Sequence, residues 1–363
     1  MPSTPHDPSP DLRVGFLGLG YATRELHLPG VLATAGVAAG GGADSDAGRR
    51  RDWAAHDAGP AYPDLDALLE GEHPDVVVIA TPPDDHAPSC IRAMEAGAHV
   101  MCEKPFVERA EDADAVLAVA ERTGRTVVVN HEFRYMPVFA ALERHVRSNA
   151  VGRPVFLSCV QFMDLAPWDE PVPWRAAMPN RALLEGGVHL LDVLHLVTGR
   201  VPRYVTAHTS AGLDPARSAD AIALVTLDYG DGLLAQVTID RLCKAGTRYL
   251  DLRVDCEQAS LRASFGGRAY LQVGTKRGER PGVRFDYGLQ GLAWEERGLR
   301  RRTLGRNPRH VARRATAAVW ADAVTAWRTG GEPPTSGAMA RDLIRIVEAS
   351  YRSAETGARC AVE

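Results

Sequence analysis

Up to about residue 130, short continuous apolar runs alternate with stretches of helical period. Residues 13–17 read as a buried strand and 21–35 as the helix that follows. Residues 75–80 form an unbroken apolar run of strand length, rich in β-branched side chains, and 99–102 form another. Residues 107–122 are amphipathic and stop at Gly124, a residue suited to the left-handed end of a helix. Residues 126–130 give the next strand. Strands that read apolar throughout, separated by helices, predict a parallel sheet with crossover helices on its faces.

The pattern changes near residue 133. Residues 155–162, 221–229, 233–239 and 249–254 alternate apolar and polar positions, as half-buried strands do. Asp228-Tyr-Gly-Asp-Gly232 is a strong turn signal between two of them. A helix over 183–197 interrupts the strands, and two helices, 311–328 and 338–353, close the chain. The expected architecture is an α/β domain with a parallel sheet, followed by an α+β domain with a large open mixed or antiparallel sheet. The expected boundaries are a flexible tail over 1–11, a first domain over 12–133 and a second over 134–363. The final helix, 338–353, is expected to pack back on the first domain.

The length of 363 residues allows both domains a core of their own. The net charge of −4 gives no general attraction to nucleic acid or to an anionic membrane. No apolar run approaches the roughly twenty residues of a bilayer span. Six scattered cysteines form no Cys-x-x-Cys pair, which argues against a zinc site and a disulfide framework and favours a cytoplasmic setting. The basic stretch 297–314 reads as a solvated, mobile loop.

Gly18-Leu-Gly20-Tyr21-Ala22-Thr23 follows the first strand and opens the first helix. Two glycines in that context suit a tight turn that brings the backbone close to a pyrophosphate at a helix N-terminus. Thr23 replaces the third glycine of the dinucleotide pattern and predicts slightly looser packing there. Asp44, at the end of the next strand, suits the adenosine ribose and favours NAD over NADP. Arg49, Arg50 and Arg51 leave NADP open, because a guanidinium suits a 2′-phosphate. The glycine triplet 40–42 is unexpected inside a strand.

With these pieces in place, the chain resembles the Gfo/Idh/MocA oxidoreductases. The match runs through Gly18-x-Gly20, His27-Leu-Pro29, Ala80-Thr-Pro-Pro83 with His86, Glu103-Lys-Pro105 and Asn130-x-x-Phe-Arg-Tyr135. It continues through Gly152-Arg-Pro154, Trp174-Arg175, Glu185-x-x-x-His189-x-x-Asp192 and Pro333-Pro-Thr-Ser336. The resemblance implies a Rossmann N-terminal domain and a C-terminal α+β domain whose sheet joins subunits into a homodimer or homotetramer. It also implies Thr81, Pro82, His86, Glu103, Lys104 and Asn130 beside the nicotinamide, and a Lys-Pro bond that is often cis.

The family chemistry implied for these positions is hydride transfer between nicotinamide and a secondary alcohol or ketone of a sugar, cyclitol or similar polyhydroxylated molecule. Lys104 would polarise the oxygen, His189 would carry the proton, and Glu185 would assist. At i and i+4 on a helix, Glu185 and His189 share a face. Glu185 stands where the family usually has Asp. Arg134, Trp174, Arg175 and Asp192 are candidate substrate contacts, with Trp168 in the same Pro-rich stretch. His195 lies about 240° around the helix from His189, so no metal site is expected. Two alternatives share these residues: an NAD-retaining enzyme of no net redox (elimination, hydrolysis or epimerisation), and a non-catalytic dinucleotide sensor.

Overall fold

A computed structural model describes residues 11–363, apart from 57, 165–173, 176, 177, 179, 213–219, 245–248, 267, 275–281 and 299. Trp168 and residues 1–10 lie outside the described residues. The chain forms two compact units: residues up to 132 with 312–342, and 133–311 with 343–363.

The first unit carries a six-stranded parallel sheet in the order β3-β2-β1-β4-β5-β6. Its strands are β1 Leu12–Leu17, β2 Val37–Ala43, β3 Ala61–Tyr62, β4 Val76–Ile79, β5 His99–Cys102 and β6 Val127–Val129. Crossover helices α1 Leu28–Ala33, α2 Ala47–Ala54, α3 Leu65–Glu72, α4 His86–Glu95 and α5 Ala110–Thr123 connect them. Val76 to Ile79 are all fully buried, which explains the unbroken apolar run. Building order reverses between β1 and β4, and in such sheets a ligand crevice opens at the carboxyl ends there.

The glycine triplet has a steric cause. A Cβ on Gly42 would lie 2.7 Å from Leu19 Cδ2 and 2.8 Å from the Trp53 ring, and one on Gly40 would lie 2.6 Å from Arg13 Cγ. Neighbouring side chains occupy the space that β2 leaves.

Residues 312–342 were expected in the second domain but belong to the first unit. The reason lies in helix α8, Val311–Thr329. Trp320 packs where a Cβ on Gly30 would come within 2.8 Å, and Trp327 Nε1 donates to Thr126 Oγ1 at 2.8 Å. The final helix α9, Gly337–Thr356, begins among first-unit residues and ends among second-unit residues.

The second unit is built on a nine-stranded sheet, β16-β15-β12-β11-β7-β10-β9-β8-β17. Its strands are β7 Pro154–Phe162, β8 Tyr204–Ser210, β9 Ile222–Asp228, β10 Leu234–Asp240, β11 Tyr249–Cys256, β12 Ser260–Phe265, β15 Gly291–Arg297, β16 Arg300–Arg306 and β17 Cys360–Ala361. A separate hairpin joins β13 Arg268–Gly274 to β14 Gly282–Gly288. Only β7 and β10 pair in parallel; the other pairings are antiparallel. Helices α6 Pro137–Arg147 and α7 Val188–Thr198 pack together, α6 on β12, β15 and β16 and α7 on β7.

The basic stretch is not a mobile loop. Arg301 and Arg302 lie on strand β16, opposite Glu296 and Glu295 of β15, and pair with them at 2.8 and 2.6 Å. Opposite charges facing across the strand pair compensate Arg301 and Arg302. Among the described residues, no helix is long and apolar enough to cross a membrane.

Candidate functional site

In the first unit, the glycine loop sits at the carboxyl end of β1. Gly18 has φ +85°, and a Cβ there would meet Ala80 O at 2.6 Å. Gly20 differs, because a Cβ there would meet no atom within 4 Å. Gly18 is therefore required by the fold, whereas Gly20 borders open space. The helix that follows starts with Tyr21 and Ala22, both accessible, and passes through a wide π-type turn over Thr23–His27. Thr23 does not loosen this corner. It is fully buried, and its hydroxyl donates to Gly18 O, closing the loop from behind.

Asp44 is buried and bound into the same loop. Its Oδ2 accepts from Leu19 N at 2.8 Å and its Oδ1 from Asp46 N at 2.8 Å. Arg49 Nη1 approaches Asp44 Oδ2 at 3.4 Å, and Arg50 Nη1 donates to Asp44 O at 2.6 Å. This fixed carboxylate beside the loop suits a ribose diol and repels a 2′-phosphate. Two buried polar atoms after β4 and β6, Thr81 Oγ1 and Asn130 Oδ1, have no hydrogen-bond partner among the described residues. Orphaned acceptors and donors at the carboxyl ends of parallel strands are what a bound dinucleotide would satisfy. These residues fit NAD.

Glu103 and Lys104 follow β5, and the Lys104–Pro105 bond is cis. Glu103 is the centre of a buried network. Its Oε1 meets His27 Nε2 at 2.9 Å and accepts from Asn130 Nδ2 at 2.8 Å. Its Oε2 accepts from the Lys104 backbone N–H at 3.1 Å. Burial alone would push the Glu103 carboxyl up, but His27, Asn130 and the Lys104 charge outweigh it and hold it at about 2. Pro82 is half-buried, at the loop after β4. His86 is a brace between loops: Nε2 faces Thr81 O at 2.9 Å, and Nδ1 faces Pro105 O at 2.9 Å.

In the second unit, residues 182–187 form a π-type turn that runs into α7. Asp220 anchors its start. One carboxylate accepts from the backbone N–H groups of Arg181, Ala182 and Leu183 at 2.5, 2.9 and 3.2 Å, and from the Tyr351 hydroxyl at 2.5 Å. Burial pushes the Asp220 carboxyl up against the pull of these donors. Nearly every side chain of α7 is buried, so a helix apolar on several faces is what this position needs.

His189 is 4% exposed and stacks on Phe133, with ring centroids 4.0 Å apart. Glu185 lies between two guanidinium groups, 3.6 Å from Arg175 Nε and 3.8 Å from Arg241 Nη2. Arg175 in turn lies 5.3 Å from the Trp174 ring centroid. Arg134 and Asp192 are both buried and bind each other, with Nε 3.0 Å from Oδ1. Burial disfavours the Arg134 charge, but Asp192 outweighs this and raises its pKa. Among the described residues, no three His, Cys, Asp or Glu side chains gather as a metal-ligand group.

Sequence reasoning missed Arg241, Asp220, Phe133 and the role of His27. Arg241 falls two positions after Ile239 on an inward-facing register, so a charge at a core position was the available signal.

Two family models match this chain. The first, an oxidoreductase family with an NAD-binding Rossmann fold, covers residues 12–131. The second, the Gfo/Idh/MocA C-terminal domain, covers residues 139–262. The chain belongs to the Gfo/Idh/MocA oxidoreductase family. Its cofactor is accordingly NAD. D-apiose dehydrogenase of Paraburkholderia graminis is 27% identical over 299 residues, spanning 82% of this chain and 75% of the relative. dTDP-3,4-didehydro-2,6-dideoxy-α-D-glucose 3-reductase of Streptomyces violaceoruber is 31% identical over 245 residues, spanning 66% of this chain and 70% of the relative. An Agrobacterium radiobacter oxidoreductase, solved with NAD+, L-tartaric acid and magnesium, shares the fold with a TM-score of 0.81. It is 21% identical, and the match covers 97% of this chain and 98% of that one.

Proposed function

We propose that this family member moves hydride between nicotinamide and a secondary alcohol or ketone of a sugar, cyclitol or similar polyhydroxylated molecule. The observation that carries the reading is the Glu103 network, which fixes the backbone of Lys104 at the carboxyl end of β5 beside the orphaned Thr81 and Asn130 atoms. The names of the sugar-active relatives support the substrate class.

Bound NAD supplies the hydride acceptor or donor at its nicotinamide ring. The remaining work falls to the chain. The Lys104 ammonium stabilises negative charge that develops on the reacting oxygen. His189 takes the hydroxyl proton in oxidation and returns it in reduction, a role suited to imidazole near neutral pH. Phe133 restrains the ring by stacking, and Glu185 with Trp174 and Arg175 contacts the rest of the substrate. Arg134 and Asp192, bound to each other, support α7. A cytoplasmic setting and a subunit interface on the open face of the nine-stranded sheet belong to the same reading.

The test is turnover of a sugar and cyclitol panel, followed by nicotinamide absorbance. Lys104→Ala and His189→Ala should each lower kcat by about two to four orders of magnitude, with NAD affinity retained. Near-normal turnover in both variants would overturn the assignment. Product formation without a net change in nicotinamide absorbance would show NAD-retaining chemistry instead.

A further inference from the structure

Two arginines converge on one carboxylate in the second unit. Arg175 Nε and Arg241 Nη2 stand 3.6 and 3.8 Å from the two oxygens of Glu185. Both separations exceed a normal N–H···O bond, so they are Coulombic contacts and not a closed guanidinium fork. Arg241 is 3% exposed and fills the space that a Cβ on Gly186 would take. Glycine at 186 is what admits that guanidinium beside Glu185.

A second observation comes from the sheet beneath. Gln161 on β7 is opposite Ile239 on β10, and Met163 and Arg241, both buried, follow one residue beyond the ends of these strands. Arg241 Nη1 lies 3.5 Å from Met163 Sδ, which confirms that both lie on this face. A Cβ on Gly187 would come within 3.2 Å of Ile239 Cδ1, so the turn carrying Glu185 lies over this row. Gln161 has no exposed surface, and among the described residues neither its amide oxygen nor its amide nitrogen has a hydrogen-bond partner. A buried polar group left unsatisfied in this way is destabilising. Leu157 and Cys159 precede it on the same buried face, so an amide is out of place there without a polar partner.

We infer that the second unit binds an anionic polyol, a hydroxy acid whose carboxylate docks on Arg241 and Arg175 while an adjacent oxygen satisfies Gln161. Paired guanidinium groups recognise carboxylates by charge and by planar donor geometry. In the free protein Glu185 holds the two arginines apart and in place. The inference rests on the proposed polyol chemistry and narrows its substrate class.

The experiment is calorimetric titration of the full-length, NAD-loaded protein with matched pairs: D-gluconate and D-glucitol, D-glucuronate and D-glucose, L-tartrate and L-threitol. In at least one pair the acid should bind about tenfold or more tightly than its neutral partner. Arg175→Met and Arg241→Met should each bring that ratio to within about threefold, and Arg241→Lys should keep part of it. Gln161→Leu should weaken the acid while leaving Tm unchanged or raised; an amide with a purely structural role would instead lower Tm.

If no acid outbinds its neutral partner, the inference falls. It also falls if the preference survives both arginine variants, or if Gln161→Leu binds the acid normally. Should Arg241→Met fail to fold, the wild-type pairs and Arg175→Met still decide. Oxidation of neutral polyols alone would remove this inference and leave the proposed function standing. Tight acid binding without hydride transfer to any panel member would do the reverse.

Discussion

His27 Nε2 lies 2.9 Å from Glu103 Oε1, joining residues 76 positions apart in the interior of the first unit. Trp320 Nε1 donates to the other ring nitrogen, His27 Nδ1, at 3.3 Å. An indole N–H can only donate, so Nδ1 accepts and the proton sits on Nε2, pointing at Glu103. The histidine thus hands an ordered hydrogen bond from α8 to the carboxylate that holds Lys104 N. His27→Ala removes this donor and leaves Glu103 buried with fewer partners. The expected cost is about 1–3 kcal/mol in urea unfolding, with a fall in kcat. His27→Gln, which keeps a donor, should recover part of both. Unchanged unfolding midpoints in the two variants would contradict this role.

The same carboxylate predicts an acid limit. Glu103 is held at about 2 against an ordinary 4.5, because His27, Asn130 and Lys104 outweigh its burial. A carboxyl with a depressed folded-state pKa stabilises the fold fully above its unfolded value and loses that contribution as pH falls toward the folded value. The shift corresponds to about 3 kcal/mol, present above pH 4.5 and lost progressively between 4.5 and 2. Urea unfolding of wild type and Glu103→Gln at a series of pH values reads this directly. The stability gap should narrow as pH drops through that window. A gap independent of pH would show that Glu103 is not held ionised.

Gly18 and Gly20 have opposite expected responses. Gly18→Ala places a Cβ 2.6 Å from Ala80 O at φ +85°, so Tm and NAD affinity should fall together. Gly20→Val places a Cβ where nothing beyond the flanking residues lies within 4 Å, so the position borders open space. Its Tm should stay near wild type while NAD affinity falls by about tenfold or more. Thermal melts with and without NAD separate the two. Normal NAD binding by Gly20→Val would place the pyrophosphate elsewhere.

These contrasts show which features could be read from the chain. Strand β5 at His99–Cys102 and the left-handed cap at Gly124, φ 67°, follow from local pattern and turn chemistry. The Rossmann sheet followed because β1, β4, β5 and β6 are self-contained apolar runs, whereas the glycine-rich β2 and the two-residue β3 carry no such signal. Partners distant in sequence were harder to see. Trp320 lies 293 positions from His27, and nothing in its local pattern assigns it to the first unit. The run Arg300-Arg-Arg302 read as a loop because Glu295 and Glu296, which pair with Arg302 and Arg301, lie on the neighbouring strand, a relation set by register. Gln161 and Arg241 were visible in principle, as polar residues at inward positions of alternating strands. Alternation alone does not tell a binding group from a strand that has ended.

The open face of the nine-stranded sheet supplies the last prediction. Tyr204, Asp228, Leu234 and Phe156 form one row across β8, β9, β10 and β7, as their registers require. Leu234 is 42% exposed and Phe156 37%, and Leu224 farther along the same face is 43% exposed. Asp228, the acid in this row, is paired with Arg359 at 2.6 Å, and Arg359 also covers the Tyr204 ring at 3.7 Å. The row therefore presents apolar surface with its charge already compensated, a composition that suits contact with a second copy of the chain. Leu234→Lys in each subunit brings several uncompensated cations into that interface, where desolvation without a partner is costly. Sedimentation velocity should show a dimer or tetramer for wild type and a shift toward monomer for Leu234→Lys, with the far-ultraviolet spectrum unchanged. A monomeric wild type, or a variant that keeps its assembly, would show that this face does not join subunits.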